Sequence, residues 1–408
     1  MPGFFGSSSE GHPLTRSSGA SRSVDRRSVL KWGAAGAFGL GSVAVLPAFG
    51  TPSLKQSPSS CRVRDRSSDK RLYVSNWPLY IDQPEKGSKT KTTMQDFEAQ
   101  TGIRVTYTED INDNDEFFAK VKNQLGGCQS TGRDLMVLTG WMAARMIDLG
   151  WIQPLDAAKV PNLHKNLLDQ YRNVDFDPTR KYSAPWQGGL AGIAYNKKVL
   201  PKGVHNVTDL LTRSDLNGRI SVLIEMPDTM GLVLLSDGAD PSKFTDAEWQ
   251  RAIEKLRKSR ESGQIRAFTG NDYINDLSAG NLKASIAWSG DIAASGDKNL
   301  VFVTPEEGAM IWSDNMLVPN MAQHEMNAEE WINYYYEPEV AARLAAYNNY
   351  ICPVKGAQEA MAKVDKSLVD NQLIFPSEKT LKQTHSFMTL PEYKERDYKG
   401  DFNDVQGG

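Results

Sequence analysis

At 408 residues, 40% hydrophobic and 24% charged, the chain is long enough for more than one core and has the composition of a soluble globular protein. Its formal charge of −3 hides an imbalance, because residues 1–61 carry about +4 and the remainder sits near −7. A mildly acidic body excludes a nucleic-acid partner, whose binders present basic faces, and is compatible with a cationic ligand.

Residues 1–24 are rich in Ser, Gly and Arg and have no pattern that a core could use. Asp25–Lys31 then reads DRRSVLK, and an uncharged Gly/Ala-rich run follows from Trp32 to Phe49. Arg26-Arg27 before a moderately apolar stretch resembles the signal of the twin-arginine export route, and the run is too short and glycine-rich for a membrane span. Ala48-Phe49-Gly50 has the shape of a cleavage site. Residues 1–60 are therefore expected to be a signal and disordered leader, with the mature protein periplasmic or at the cell surface. Cys61 is a lipid-anchor candidate, but the residues before it, Pro58-Ser59-Ser60, match that pattern poorly. Cys128 and Cys352 remain in the body, where pairing and free thiols both stay open.

From Lys70 the pattern becomes α/β. Arg71–Ile81 opens as an alternating strand whose end presents Trp77 and Tyr80. Thr93–Gly102 has helical spacing with a glycine stop, and Ile103–Asp110 is a second strand. Phe117–Leu125 is a helix, and Arg133–Gly140 a buried strand with Thr139 and Trp141 at its carboxyl end. Strand and helix alternating at these lengths imply a mainly parallel sheet, and in such sheets ligands bind beyond the carboxyl ends of strands. Lys181–Leu200 is a strand whose glycines at 188, 189 and 192 suit a crossing between domains, where torsions must change. Gly218–Ser236 runs strand, turn, helix, with Glu225 and Asp228 in the turn, and Asp228 is equally well read as a helix cap. Thr245 and Glu248 form a capping box that starts an amphipathic helix to about Ser262. Ile286–Met316 carries two aromatic–acid couples, Trp288 with Asp291 and Trp312 with Asp314, around the strand-to-turn run VFVTPEEG. An indole face attracts a cation and a carboxylate holds it by a charged hydrogen bond, so two couples suit a ligand with more than one ammonium. Ala328–Ile351 is two helices broken at Pro338 and ending in Tyr350, and the charged tail after Phe375 contains a further helix.

Enzyme signatures are missing: there is no GxSxG elbow, P-loop or HExxH, and five scattered histidines offer no metal cluster. Asp110–Glu116 has the look of a calcium loop, but Asp115 stands where that loop needs glycine and Val121 where it needs glutamate. No cofactor or metal is expected. One rival reading survives, an exported carbohydrate-active protein, either a sugar binder or a glycosidase using Glu225 and Asp228.

NWPLY, RDLMV, the Glu225-x-x-Asp228 turn, WSGD, PEEGAMIWSD, the Pro338-Glu339-Val340-Ala341 helix and Tyr350 together resemble the substrate-binding proteins of bacterial polyamine ABC importers, from about Leu72 to Tyr350. The resemblance implies a two-lobed type II periplasmic binding fold, a monomer that closes on putrescine or spermidine and serves a membrane permease. It implies an N-terminal lobe of 70–188 plus 313–358 and a C-terminal lobe of 189–312 plus 359–408. It also implies Trp77, Trp288 and Trp312 along the methylenes, with Tyr80, Trp141 and Tyr350 as further aromatic wall. Glu225, Asp228, Asp291 and Asp314 match carboxylate positions for ammonium groups. Thr139 stands where members often have serine, and Phe387 or its neighbours where some have a ligand-contacting glutamine.

Overall fold

The computed structural model describes residues 61–84 and 90–407, all within the unit Pro52–Gly408. The twin-arginine segment and its cleavage site lie outside these residues.

Ten strands form the sheet: β1 (Arg71–Asn76), β2 (Arg104–Glu109), β3 (Leu135–Thr139), β4 (Ser183–Asn196), β5 (Ile220–Leu223), β6 (Ile265–Thr269), β7 (Ala284–Trp288), β8 (Leu300–Val303), β9 (Ala309–Leu317) and β10 (Thr384–His385). Their order is β2-β1-β3-β9-β4-β7-β5-β6, with β10 beside β9 and β8 beside β4. The two flanks are parallel, β2-β1-β3 on one side and β7-β5-β6 on the other. Each follows from a short apolar strand feeding a capped helix that returns over the sheet. Helix Thr93–Thr101 starts at a capping box of Thr92 and Gln95, and helix Asp246–Glu261 at one of Thr245 and Glu248, the second as the sequence predicts.

Between the flanks run two long antiparallel strands. β9 pairs with β3 through Asp314–Leu317 and with β4 through Met310–Leu317, while β4 reaches on to β7 through Ala191–Tyr195. These two strands carry the chain from one parallel flank to the other, which is the two-lobed type II periplasmic-binding-protein architecture. Gly188 faces Ser313 and Gly189 faces Trp312 at the crossing. The glycines at 188, 189 and 192 are required there for space rather than for torsion, because none has a positive φ. A Cβ on Gly189 would fall 2.5 Å from the Trp312 ring and 2.8 Å from Tyr350, and one on Gly188 2.6 Å from the Trp312 carbonyl.

Two helices broken at Pro338, Glu325–Tyr335 and Pro338–Asn348, match the sequence reading, whereas the tail helix begins only at Glu392 and runs to Gly407. Before it, β10 lies parallel to β9 and brings residues 386–389 alongside the crossing. Among the described residues, no helix is long and apolar enough to cross a membrane.

The cysteines resolve differently from either option left open by the sequence. Cys61 is bonded to Cys128, 67 residues away, and Cys352 is free and buried. A sulfur held in a disulfide cannot carry a lipid thioether, so Cys61 is not the anchor considered above. The bond ties the start of the described chain to the end of helix Asn114–Gly126 and restricts the unfolded chain. Cys128→Ser is expected to lower the unfolding free energy by about 2–4 kcal/mol in denaturant titration. Thiol titration of unfolded wild type without reductant should find Cys352 alone.

Candidate functional site

The eleven residues singled out in the sequence line a single cavity of ≈ 260 Å³ beside the crossing strands. Trp77 and Tyr80 come from the segment after β1, Thr139 and Trp141 from the end of β3, and Glu225 and Asp228 from the turn after β5. Trp288 and Asp291 follow from the end of β7, Trp312 and Asp314 from the middle of β9, and Tyr350 from just beyond the second broken helix. Ends of parallel strands are where a binding site belongs in such a sheet.

Aromatic rings form the apolar wall. Trp77 is anchored by its indole N–H, which donates to the Val137 carbonyl at 3.1 Å, and meets Trp288 edge-on with centroids 6.2 Å apart. Tyr350 packs edge-on against Tyr80 at 5.1 Å and Trp312 at 5.3 Å. Its seat exists because residue 290 is glycine, since a Cβ there would lie 2.4 Å from the Tyr350 ring.

The carboxylates are wired to partners other than those the sequence couples suggest. The Trp288 indole N–H donates to Asp228 Oδ2 at 2.8 Å, not to Asp291. Asp228 therefore serves the cavity rather than a helix cap, and the helix Met226–Ser236 has no side-chain cap bond. Asp291 instead accepts from the Tyr350 hydroxyl at 2.7 Å, the Tyr273 hydroxyl at 3.0 Å and Asn271 Nδ2 at 2.7 Å. Asp314 accepts from the Thr139 hydroxyl at 2.8 Å across the β3–β9 ladder, where the two residues are register partners. The Trp312 indole N–H is buried and unpartnered. Glu225 Oε1 accepts from both the backbone N and the Nδ2 of Asn114, each at 2.9 Å, and Nδ2 also donates to Thr139 Oγ1 at 3.0 Å.

These four acids share one electrostatic condition. Burial raises Glu225 to about 8, Asp228 and Asp314 to about 7 and Asp291 to about 6. Asp291 is lowest because three donors favour its charged form. Glu225 and Asp228 lie at one helix N-terminus and Asp291 in the first turn of helix Ser289–Ala294, where the backbone dipole also favours negative charge. Among the described lining residues there is no lysine, arginine or histidine to neutralise them. Groups of acids and histidines suited to a metal ion are likewise missing among the described residues. An aromatic cavity with four converging carboxyls and no built-in counter-charge is chemically suited to an organic cation.

Sequence reasoning missed Asn114, Asn271 and Tyr273, which hold carboxyls in place, whereas Phe387 and its neighbours Ser386, Met388 and Thr389, where the resemblance put a ligand-contacting position, do line the cavity. Asn114 lies in the acidic run that suggested a calcium loop, and its role depends on a partner 111 residues away. No local pattern signals such a pairing.

In the comparisons with known proteins, residues 92–371 match the family described as bacterial extracellular solute-binding protein. The putrescine-binding periplasmic protein of Escherichia coli strain K12 is 30% identical over 332 residues, covering 76% of this chain and 84% of that one. The spermidine/putrescine-binding periplasmic protein 1 of Haemophilus influenzae is 26% identical, covering 77% and 83%. The crystal structure of a spermidine/putrescine ABC transporter substrate-binding protein from Streptococcus pneumoniae superposes with a TM-score of 0.66 at 24% identity, over 83% of this chain and 98% of that one.

A folded-state carboxyl with a raised pKa holds a proton that the unfolded chain, titrating near 4, has released. Its destabilising effect is therefore absent below about pH 4 and grows as pH rises through 6 to 8. The melting temperature of the ligand-free protein is expected to fall between pH 6 and 8. The fall should be smaller in Asp314→Asn, followed by thermal unfolding at fixed ionic strength.

Proposed function

The chain belongs to the bacterial extracellular solute-binding proteins, and we propose that its ligand is a polyamine, putrescine or spermidine, captured outside the cytoplasm and handed to the membrane permease of an ABC importer. The observation that carries this is the set of four buried carboxyls in an aromatic cavity with no basic residue among its described lining. A polyamine is an apolar rod with a cation at each end, and each part has a counterpart here. Methylenes buried against the indoles gain about 25 cal/mol per Å². Each ammonium on a carboxylate adds roughly 1.5–3 kcal/mol, and an indole face roughly 0.5–2 more. Two such ends and the middle reach the about −8 kcal/mol of micromolar binding after the entropy of association. A neutral sugar would leave four carboxyls buried without a counter-charge. The carbohydrate-active alternative also has no support among the named relatives, and its two acids are engaged by Asn114 and Trp288.

In this reading the eleven residues contact the ligand, and the protein binds without catalysing a reaction. The lobes 70–188 with 313–358 and 189–312 with 359–408 close on the polyamine as a monomer, and the crossing strands serve as the hinge. Asn114 supports closure, because it belongs to the first lobe and holds Glu225 of the second. Delivery to the exterior follows from Arg26-Arg27 by the twin-arginine route.

Calorimetry against diamines, triamines, amino acids and sugars tests the assignment, and an unaltered heat with every amine removes it. Asp314 is held by fewer donors, the Thr139 and Tyr80 hydroxyls, than the three that engage Asp291, leaving it more capacity for an ammonium. Asp314→Asn is expected to weaken every polyamine by roughly 1.5–3 kcal/mol, about ten- to a hundredfold. Binding near pH 7 should release protons, read as a buffer-dependent heat, because an ammonium restores the charge of acids that burial has neutralised.

Export has its own test. Substituting Lys for both Arg26 and Arg27 is expected to stop mature-size protein from appearing outside the cytoplasm, and undiminished export removes the twin-arginine route.

A further inference from the structure

A second cavity of ≈ 160 Å³ lies beside the first and shares Trp141, Ala144, Pro227, Phe387, Met388 and Thr389 with it. Its far wall is electrostatically built. The Lys399 ammonium, on the tail helix, lies 4.3 Å from the centroid of the Trp141 ring. It also pairs with Asp115 Oδ1 at 2.8 Å and Glu395 Oε1 at 3.0 Å. Arg145 stands 3.8 Å from the same two oxygens and lies over the Phe118 ring at 4.2 Å. The Lys399 side chain is only 18% exposed and that of Glu395 20%, so these charges interact with less screening than surface pairs do.

An ammonium over an indole and between two carboxylates is the same chemistry that the main cavity offers a polyamine. At this outer position the chain supplies the ammonium itself. We propose that Lys399 is a specificity-determining residue, a tethered cation that occupies the outermost ammonium position of the binding tunnel and so biases the protein toward short polyamines. The inference rests on the polyamine reading of the main cavity. With Lys399 present, three acids, Asp115, Asp148 and Glu395, face two bases, and Lys399 already fills the place between Asp115, Glu395 and the Trp141 ring, so an incoming ammonium must displace a cation held on three sides. Without it, Asp115, Asp148, Glu395 and the face of Trp141 are left with Arg145 alone, an excess of negative charge beside an aromatic face. A longer amine reaching past the shared wall meets its third or fourth cation there.

Lys399 also joins the tail helix to Asp115 and Trp141 on the other side of the crossing, so its loss can weaken binding of every ligand uniformly. A ratio separates the two effects. Calorimetry of wild type and Lys399→Met with putrescine, spermidine and spermine is expected to raise the spermine-to-putrescine affinity ratio at least tenfold. Lys399→Arg, which keeps a cation on Trp141, should retain the wild-type ratio. Adding Glu395→Gln to Lys399→Met should cancel most of the gain, since the new ammonium loses its carboxylate. If Lys399→Met lowers all three affinities by a common factor, or leaves the ratio within twofold of wild type, the specificity role is overturned while polyamine binding stands. A wild-type protein that binds none of the three overturns the polyamine reading and this inference with it.

Discussion

The constraint on which the site depends is the cost of keeping four carboxyls out of water. Each is buried, and burial alone would leave them protonated and inert near neutral pH. The fold keeps them within reach of ionisation by donors and helix starts rather than by basic side chains. Trp288 and Thr139 each give one acid a directed hydrogen bond, Asn114 gives Glu225 two, and Asp291 receives three. A lysine or arginine in the cavity would lower the pKa values more efficiently and abolish the demand for an external cation. Neutral donors leave that demand unmet, and the unmet demand is the affinity.

The same choice explains why the pocket is built from strand ends. Donors must be fixed to within tenths of an ångström if they are to stabilise a charge without moving toward it. Thr139 and Asp314 are ladder partners, so their separation is set by sheet geometry. Glu225 precedes a helix that starts with Pro227 in its first turn, which holds the turn's shape before the side chains are placed. The aromatic wall is fixed in turn by glycines that leave room for rings, at 189 beneath Trp312 and Tyr350 and at 290 beneath Tyr350.

What the sequence disclosed follows this division. Hydrophobic alternation and caps locate the strands and helices, and the rule that ligands sit at strand ends selects Trp77, Tyr80, Thr139 and Trp141 before any side chain is placed. The Trp–Asp couples are legible as chemistry but not as pairings, because Trp288 reaches back to Asp228, sixty residues earlier, rather than forward three. Long-range partners of this kind carry no local signal, and Asn114 was obscured further by an acidic run with a metal-loop look. Tail charge was visible in composition, yet nothing in the periodicity of Glu392–Gly407 places Lys399 against Trp141. The disulfide stayed open in the sequence for a similar reason: Cys61 lies next to the leader, and its partner is fixed by how the chain returns to the end of a helix 67 residues later.

The crossing strands carry a last consequence. Trp312 and Asp314 lie on β9 within the ladder that links the two flanks, opposite Gly189 and Gln187. Cavity-lining side chains and the strand that joins the two flanks are thus the same nine residues of chain, so a twist of that ribbon would displace the ring and the carboxyl together. On the polyamine reading, a ligand that rests on Trp312 therefore bears directly on the strand that joins the two flanks.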